Sequence, residues 1–129
     1  MKLQFNNTEI KVTRTYIGTA TPWGGNYIKS QNRVTITANG KRCSFMYYCS
    51  TNSEWNEQEY ANAVWCFCLD ATSYLNSRDI DGFASEFDYT KVSEAVRVYN
   101  ACKKAADKFK ALGLDPFDLS DYLSEKYDL

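Results

Sequence analysis

The dipeptide Asn39-Gly40 lies between two runs in which apolar and polar residues alternate, and it constrains the fold more than any other pair in the chain. Both residue types accept the positive φ that a two-residue type I′ hairpin turn demands. Taking them as the loop sets Ala38 opposite Lys41, Ile36 opposite Cys43 and Val34 opposite Phe45. Apolar residues of both strands then share one face, an arrangement that a slip of one residue would destroy. Residues 3 to 17 and 26 to 48 read as strands on this basis. The opposite face shows Arg33, Thr35 and Thr37 beside Arg42, Ser44 and Met46, joined by Lys11, Thr13 and Thr15 if the first strand pairs alongside. That face is polar and basic. The Pro- and Gly-containing stretch TPWGGN, residues 21 to 26, reads as a loop with Trp23 near its tip.

After this the apolar period lengthens from two to about 3.6 residues. From about Glu57 to Leu75, the residues Tyr60, Val64, Phe67, Cys68, Ala71 and Leu75 form a helical stripe that Ala61, Trp65 and Leu69 widen, which predicts a helix covered on most sides. A second helical pattern, 91 to 112, carries Val92, Ala95, Val96, Tyr99, Cys102, Ala106 and Phe109, with Thr90 as its expected N-cap and Gly113 as its stop. A last helix opens at Asp115-Pro116, a capping residue followed by the proline that suits a first turn. The expected fold is α+β: an N-terminal antiparallel β-sheet of three to four strands followed by three to four helices packed on one face, in a single domain over residues 1 to 129.

Ten Tyr, seven Phe and three Trp separate this chain from disordered ones, which are poor in aromatic residues. Histidine is absent, which removes the commonest general base near neutral pH and the usual activator of Ser or Cys nucleophiles. Neither a phosphate-cradling G-x-x-x-x-G-K-[ST] loop nor a G-x-G-x-x-G turn occurs. A non-catalytic protein without cofactor is expected. The five cysteines are odd in number and form no C-x-x-C pair, and they are read as free, mostly buried thiols. Cys66 and Cys68 stand about 200° apart around a helix axis and do not grip one metal. With no signal-like apolar run at the N-terminus and no membrane-length apolar stretch, the expected location is a reducing cytoplasm, with no membrane partner.

Charge is divided along the chain. Residues 1 to 50 hold seven bases and one acid, Glu9, whereas residues 51 to 129 hold eight bases and fifteen acids. The stretch SRDIDGFASEFD, residues 77 to 88, places Gly82 at the sixth position of a would-be calcium loop. Its first ligand would be Ser77 rather than Asp, and its twelfth Asp88 rather than the longer Glu. Phe83 and Phe87, four apart, offer another account, a short helix pinned by two rings that leaves Asp79, Asp81, Glu86 and Asp88 in water. An acidic connector without metal is the expectation. Near the C-terminus Asp118, Asp121, Glu125 and Asp128 recur at spacings of three, four and three, which predicts one acidic helix side opposite Leu119, Tyr122 and Leu123.

The segments VWCFCLD (64 to 70), FASEFDY (83 to 89) and VYNAC (98 to 102) resemble a group of small accessory proteins of Gram-positive phages and conjugative elements, in which a short sheet precedes a Trp-Cys helix, an aromatic and acidic connector and a Tyr-x-x-Cys helix. Asp88 departs from the glycine of that pattern. The resemblance implies an inhibitor of a host defence factor, in the manner of anti-CRISPR proteins, with a CRISPR effector nuclease as the expected partner. The surface expected to bind it is acidic: Asp79, Asp81, Glu86, Asp88, Asp118, Asp121, Glu125 and Asp128, with Trp23 as an aromatic anchor, whereas Trp55 ahead of the first helix is expected in the core rather than as a second anchor. Two alternatives stay open. Lys11, Lys29, Arg33, Lys41 and Arg42 on the sheet, with Tyr48 beside them, would bind nucleic acid directly. A pocket that sequesters a signalling nucleotide is the other.

Overall fold

The computed structural model describes residues 1–22, 25–26, 28–77, 79–87 and 92–129, with backbone alone for 84–87, 92 and 93. Trp23, Asp88 and Thr90, and the side chains of Glu86, Phe87 and Val92, lie outside the described residues. The element order is β1 (Lys2–Phe5), β2 (Thr8–Ala20), β3 (Lys29–Ala38), β4 (Lys41–Cys49), α1 (Glu57–Asn76), α2 (Ile80–Phe87), α3 (Val92–Leu112) and α4 (Pro116–Tyr127). This is an α+β fold, a four-stranded antiparallel sheet in the order β1-β2-β3-β4 followed by four helices. No described helix is long and apolar enough to cross a membrane. The chain forms two compact units, Met1–Ala63 and Val64–Leu129.

In the first unit the β3–β4 hairpin has the register its turn demands: Ala38 faces Lys41, Ile36 faces Cys43 and Val34 faces Phe45. Asn39 and Gly40 adopt φ of 54° and 75°. A second hairpin corrects the reading of 3 to 17 as one strand. Asn6 and Asn7 take φ of 47° and 63°, and the chain folds back so that Phe5 pairs with Thr8 and Lys2 with Lys11. Asparagine is the non-glycine residue that best tolerates this conformation. The β2–β3 ladder shifts between Tyr16 and Gly18, where Gly18 adopts φ of 147°.

Alternation then sorts the side chains. Leu3, Phe5, Ile10, Val12, Val34, Ile36 and Ala38 are buried on the inner face. Arg14 and Asn32 share that face, and Asn32 is fully buried. The Arg14 guanidinium donates from Nη1 to Asn32 Oδ1 at 2.7 Å and from Nη2 to the Asn52 and Ser53 carbonyls, and it lies 4.8 Å from the centre of the Trp55 ring. It thereby ties the segment after β4 to β2. Asn32 Nδ2 in turn donates to Ser30 O and Cys49 Sγ. Helix α1 starts where Asn56 Oδ1 accepts from Glu59 N at 3.0 Å, and Trp55, the residue before this cap, packs its ring 5.2 Å from that of Tyr60. Such a pair across the first turn fixes the angle at which a chain enters a helix.

The second unit is helical. Val64, Phe67, Cys68 and Ala71 on α1 and Ala95, Cys102, Ala105, Ala106, Phe109 and Leu112 on α3 are buried. The Phe67 and Phe109 rings lie 4.9 Å apart. Three apolar residues depart from the expected stripes: Leu69, Leu75 and Val96 are exposed. Spacing gives each residue's angle around its axis but not the arc that neighbours cover. Cys66 is also exposed, against the expectation of buried thiols, and Cys43 is half-buried. Because Cys66 and Cys68 stand on opposite sides of α1, burying one leaves the other outward. Gly113, with φ of 71°, ends α3, its N–H bonding to Lys110 O while Leu114 N–H bonds to Phe109 O, the paired bonds that close a helix at a left-handed residue. Asp115 Oδ1 accepts from Phe117 N at 2.9 Å and caps α4, with Pro116 in its first turn.

Candidate functional site

The exposed side of the sheet is the surface on which the most chemistry converges. Register places Lys2, Lys11, Thr37 and Arg42 in one row across all four strands, Thr13, Thr35 and Ser44 in the next, and Thr15, Arg33 and Met46 in the third. The first row forms because β1 turns back at Asn6-Asn7. Strand separation puts Lys2 roughly 5 Å and Arg42 roughly 10 Å from Lys11 along the backbone, with Arg33 about 13 Å further down β3. Lys2, Lys11, Arg33 and Arg42 are exposed, and Lys29 alternates onto the same face at the end of β3. Glu9 is the single acid of the four strands. Thr35 and Ser44 share a hydroxyl hydrogen bond of 2.9 Å, which holds the middle row in place across β3 and β4. The face is hydroxyl-rich and positive.

Two residues change places relative to the sequence reading. Lys41 pairs with Ala38 and therefore has the parity of the inner face, at the hairpin end, away from Lys11, Arg33 and Arg42. Lys2 takes its place. Its signal in the sequence is the Asn6-Asn7 turn, which sets Lys2 against Lys11. Tyr48 does belong to the outer face, opposite Gln31.

The acidic candidates are less unified. Asp118, Asp121 and Glu125 are exposed along one side of α4, as expected. Asp128 leaves that side: the helix ends at Tyr127, and Asp128 turns left-handed with φ of 56° as its cap while the Leu129 N–H bonds to Ser124 O. Lys126 adds a base to the same helix and lies 5.7 Å from the Tyr122 ring. In the connector, Asp79 serves as a helix cap, its Oδ1 accepting from Gly82 N at 2.8 Å. Asp81 and Gly82 fall inside α2, so the middle of the would-be calcium loop is helical. The ring-pinned account of this stretch holds for Phe83, which is fully buried with its ring 5.6 Å from that of Tyr99.

Trp55 is buried, in keeping with the expected core role, its ring edge-on to Tyr47 and Tyr60, and its Nε1 has no hydrogen-bond partner among the described residues. Burial pushes the Cys102 thiol up to about 12, with the Asp70 carboxylate adding to the shift, and it raises Cys68 as well, with Cys66 contributing. Neither forms the thiolate that nucleophilic chemistry needs near neutral pH. Desolvation pushes Asp70 up to about 6, although part of its side chain reaches solvent and is screened there. Among the described residues no group of three or more Cys, Asp or Glu is placed to hold a metal ion. No protein-family model, curated protein or solved structure matches this chain.

Proposed function

We propose that this chain is a non-catalytic binding protein whose outer sheet face contacts a polyanion, the sugar–phosphate backbone of a nucleic acid. The observation that carries this reading is the convergence of Lys2, Lys11, Arg33 and Arg42 from four strands onto one exposed face with a single acid, Glu9. Lys and Arg neutralise phosphates and release counterions, and threonine hydroxyls donate to the same oxygens. Among the described residues Tyr48 is the one aromatic ring on this face, so binding runs to the backbone rather than to stacked bases. It is therefore expected to be sequence-independent and steeply salt-dependent.

Fluorescence anisotropy with labelled single-stranded and duplex oligonucleotides tests this. The triple variant Lys11→Gln, Arg33→Gln, Arg42→Gln should bind at least about tenfold more weakly, and each phosphate left without its base should flatten the salt dependence by nearly one log unit per log of salt. Lys41→Gln, on the other face of the sheet, should bind as wild type. Equal weakening in Lys41→Gln and the triple variant would reduce the effect to net charge and remove the face from the argument.

A second reading is favoured by the exposed acids Asp118, Asp121 and Glu125 along α4. Rows of carboxylates can occupy a groove whose Lys and Arg normally hold phosphates, which fits an inhibitor of a nucleic-acid-handling defence complex such as a CRISPR effector nuclease. The resemblance to phage and mobile-element accessory proteins points the same way. Affinity capture with wild type and with the three acids changed to amides separates the readings: retention of a nuclease complex by wild type alone supports inhibition, and equal retention by both removes α4 from the interface.

A further inference from the structure

The helical unit contains a groove lined by the ends of α1 and α3 and the start of α4. Tyr74 and Leu75 at the end of α1, Asp107 and Lys110 near the end of α3, and Leu114 and Phe117 around the start of α4 surround an open cavity of about 620 Å³. Its size falls in the range of ligand-binding clefts. Leu75 and Phe117 remain 49 % and 38 % exposed, although both are large apolar side chains in helices whose other apolar residues are mostly buried. These two side chains give the concavity an apolar edge against which another molecule can pack.

Charge around the groove selects that molecule. Among the described residues, Asp107 and Asp115 stand in the lining against a single base, Lys110, and Asp118 and Asp121 continue the acidic surface along α4 from Phe117. The bond that Asp115 Oδ1 accepts from the Phe117 N–H fixes that carboxylate at the edge of the groove. An acidic or phosphorylated occupant would meet like charge here. An apolar floor with an acidic rim instead complements a helix bearing Leu-type residues at i, i+3, i+4 and i+7 on one side and Lys or Arg beside them.

We infer that this groove takes a basic amphipathic helix of a partner protein. Its apolar side chains fill the cavity between Leu75 and Phe117, and its bases meet Asp107, Asp115 and Asp118. The inference uses the helical unit alone and stands whether or not the sheet binds nucleic acid.

The test is anisotropy with a labelled Leu–Lys amphipathic helical peptide, a Leu–Glu peptide of the same apolar pattern and an Ala–Lys peptide of the same charge. The Leu–Lys peptide should bind, and both others should bind at least about tenfold more weakly, the loss expected when an anchor or its charge partner is removed. Leu75→Ser with Phe117→Ser should cost at least about tenfold for the Leu–Lys peptide, with the thermal transition retained. Asp107→Asn with Asp118→Asn, both exposed, should weaken binding at low salt and converge on wild type at high salt. Absence of Leu–Lys binding, equal binding of the Leu–Glu peptide, or an unchanged affinity in both double variants overturns the proposal. So does self-association in light scattering that Leu75→Ser and Phe117→Ser abolish, because the groove would then belong to a second copy of the chain.

Discussion

Replacing Phe109 by alanine should lower the stability of the protein by about 4 kcal/mol, within the range for removing a large aromatic side chain from a packed interior. Phe109 is fully buried, and its ring lies 4.9 Å from that of Phe67 across α3 and α1. The substitution forfeits the transfer free energy of the ring and leaves a void that the helices close only in part. Collapse is further restricted because α3 is held just beyond Phe109 by the Gly113 termination, in which Phe109 O itself accepts the Leu114 N–H. Urea unfolding gives the comparison, with the midpoint falling while the slope stays near wild type. Phe109→Leu, which keeps most of the apolar volume, should cost about 1 kcal/mol. A loss below about 1 kcal/mol for Phe109→Ala would mean that the ring is not held in a packed interior.

Arg14→Ala should cost about 3 kcal/mol, for a different reason. The guanidinium is the donor to Asn32 Oδ1, which has no access to water, and a buried acceptor deprived of its donor carries its full desolvation penalty. The attraction between the guanidinium and the Trp55 ring disappears as well, whereas the exposed Asn52 and Ser53 carbonyls recover hydrogen bonds from water. Lysine cannot span Asn32 and the loop with one ammonium group, so Arg14→Lys should recover less than half of the stability. Changing both partners to apolar residues, Arg14→Met with Asn32→Leu, should cost less than the sum of the single changes, because the Asn32 acceptor is no longer left buried without its donor. Chemical denaturation of wild type, the two single variants and the double variant gives the coupling directly. Additive effects would show that the pair does not act as a unit.

Local rules read well where a backbone conformation was at stake. Asn39-Gly40 determined the β3–β4 register, Gly113 the end of α3, and Asp115-Pro116 the start of α4, each because few residue types tolerate the required φ or satisfy the free N–H groups. Two signals of the same kind escape a reading by periodicity: the Asn6-Asn7 turn, which brings Lys2 onto the basic row, and Asn56-x-x-Glu59 with Trp55 and Tyr60 on either side, which starts α1. Alternation through Val12 already gives Arg14 the parity of the apolar residues. What it does not show is a fully buried Asn32 to receive the guanidinium.

The sequence by itself determined the order of sheet and helices, the β3–β4 register and the basic character of one sheet face, since these follow from turn geometry and from side-chain periods of two and about 3.6 residues. Only the tertiary structure decided which sides of those elements are covered. It put Leu75 and Phe117 beside an open groove and turned Cys66 outward. It also turned Asp128 out of the acidic stripe. The reason is that periodicity fixes a residue's direction from its own backbone, whereas burial depends on segments distant in the sequence that arrive to meet it.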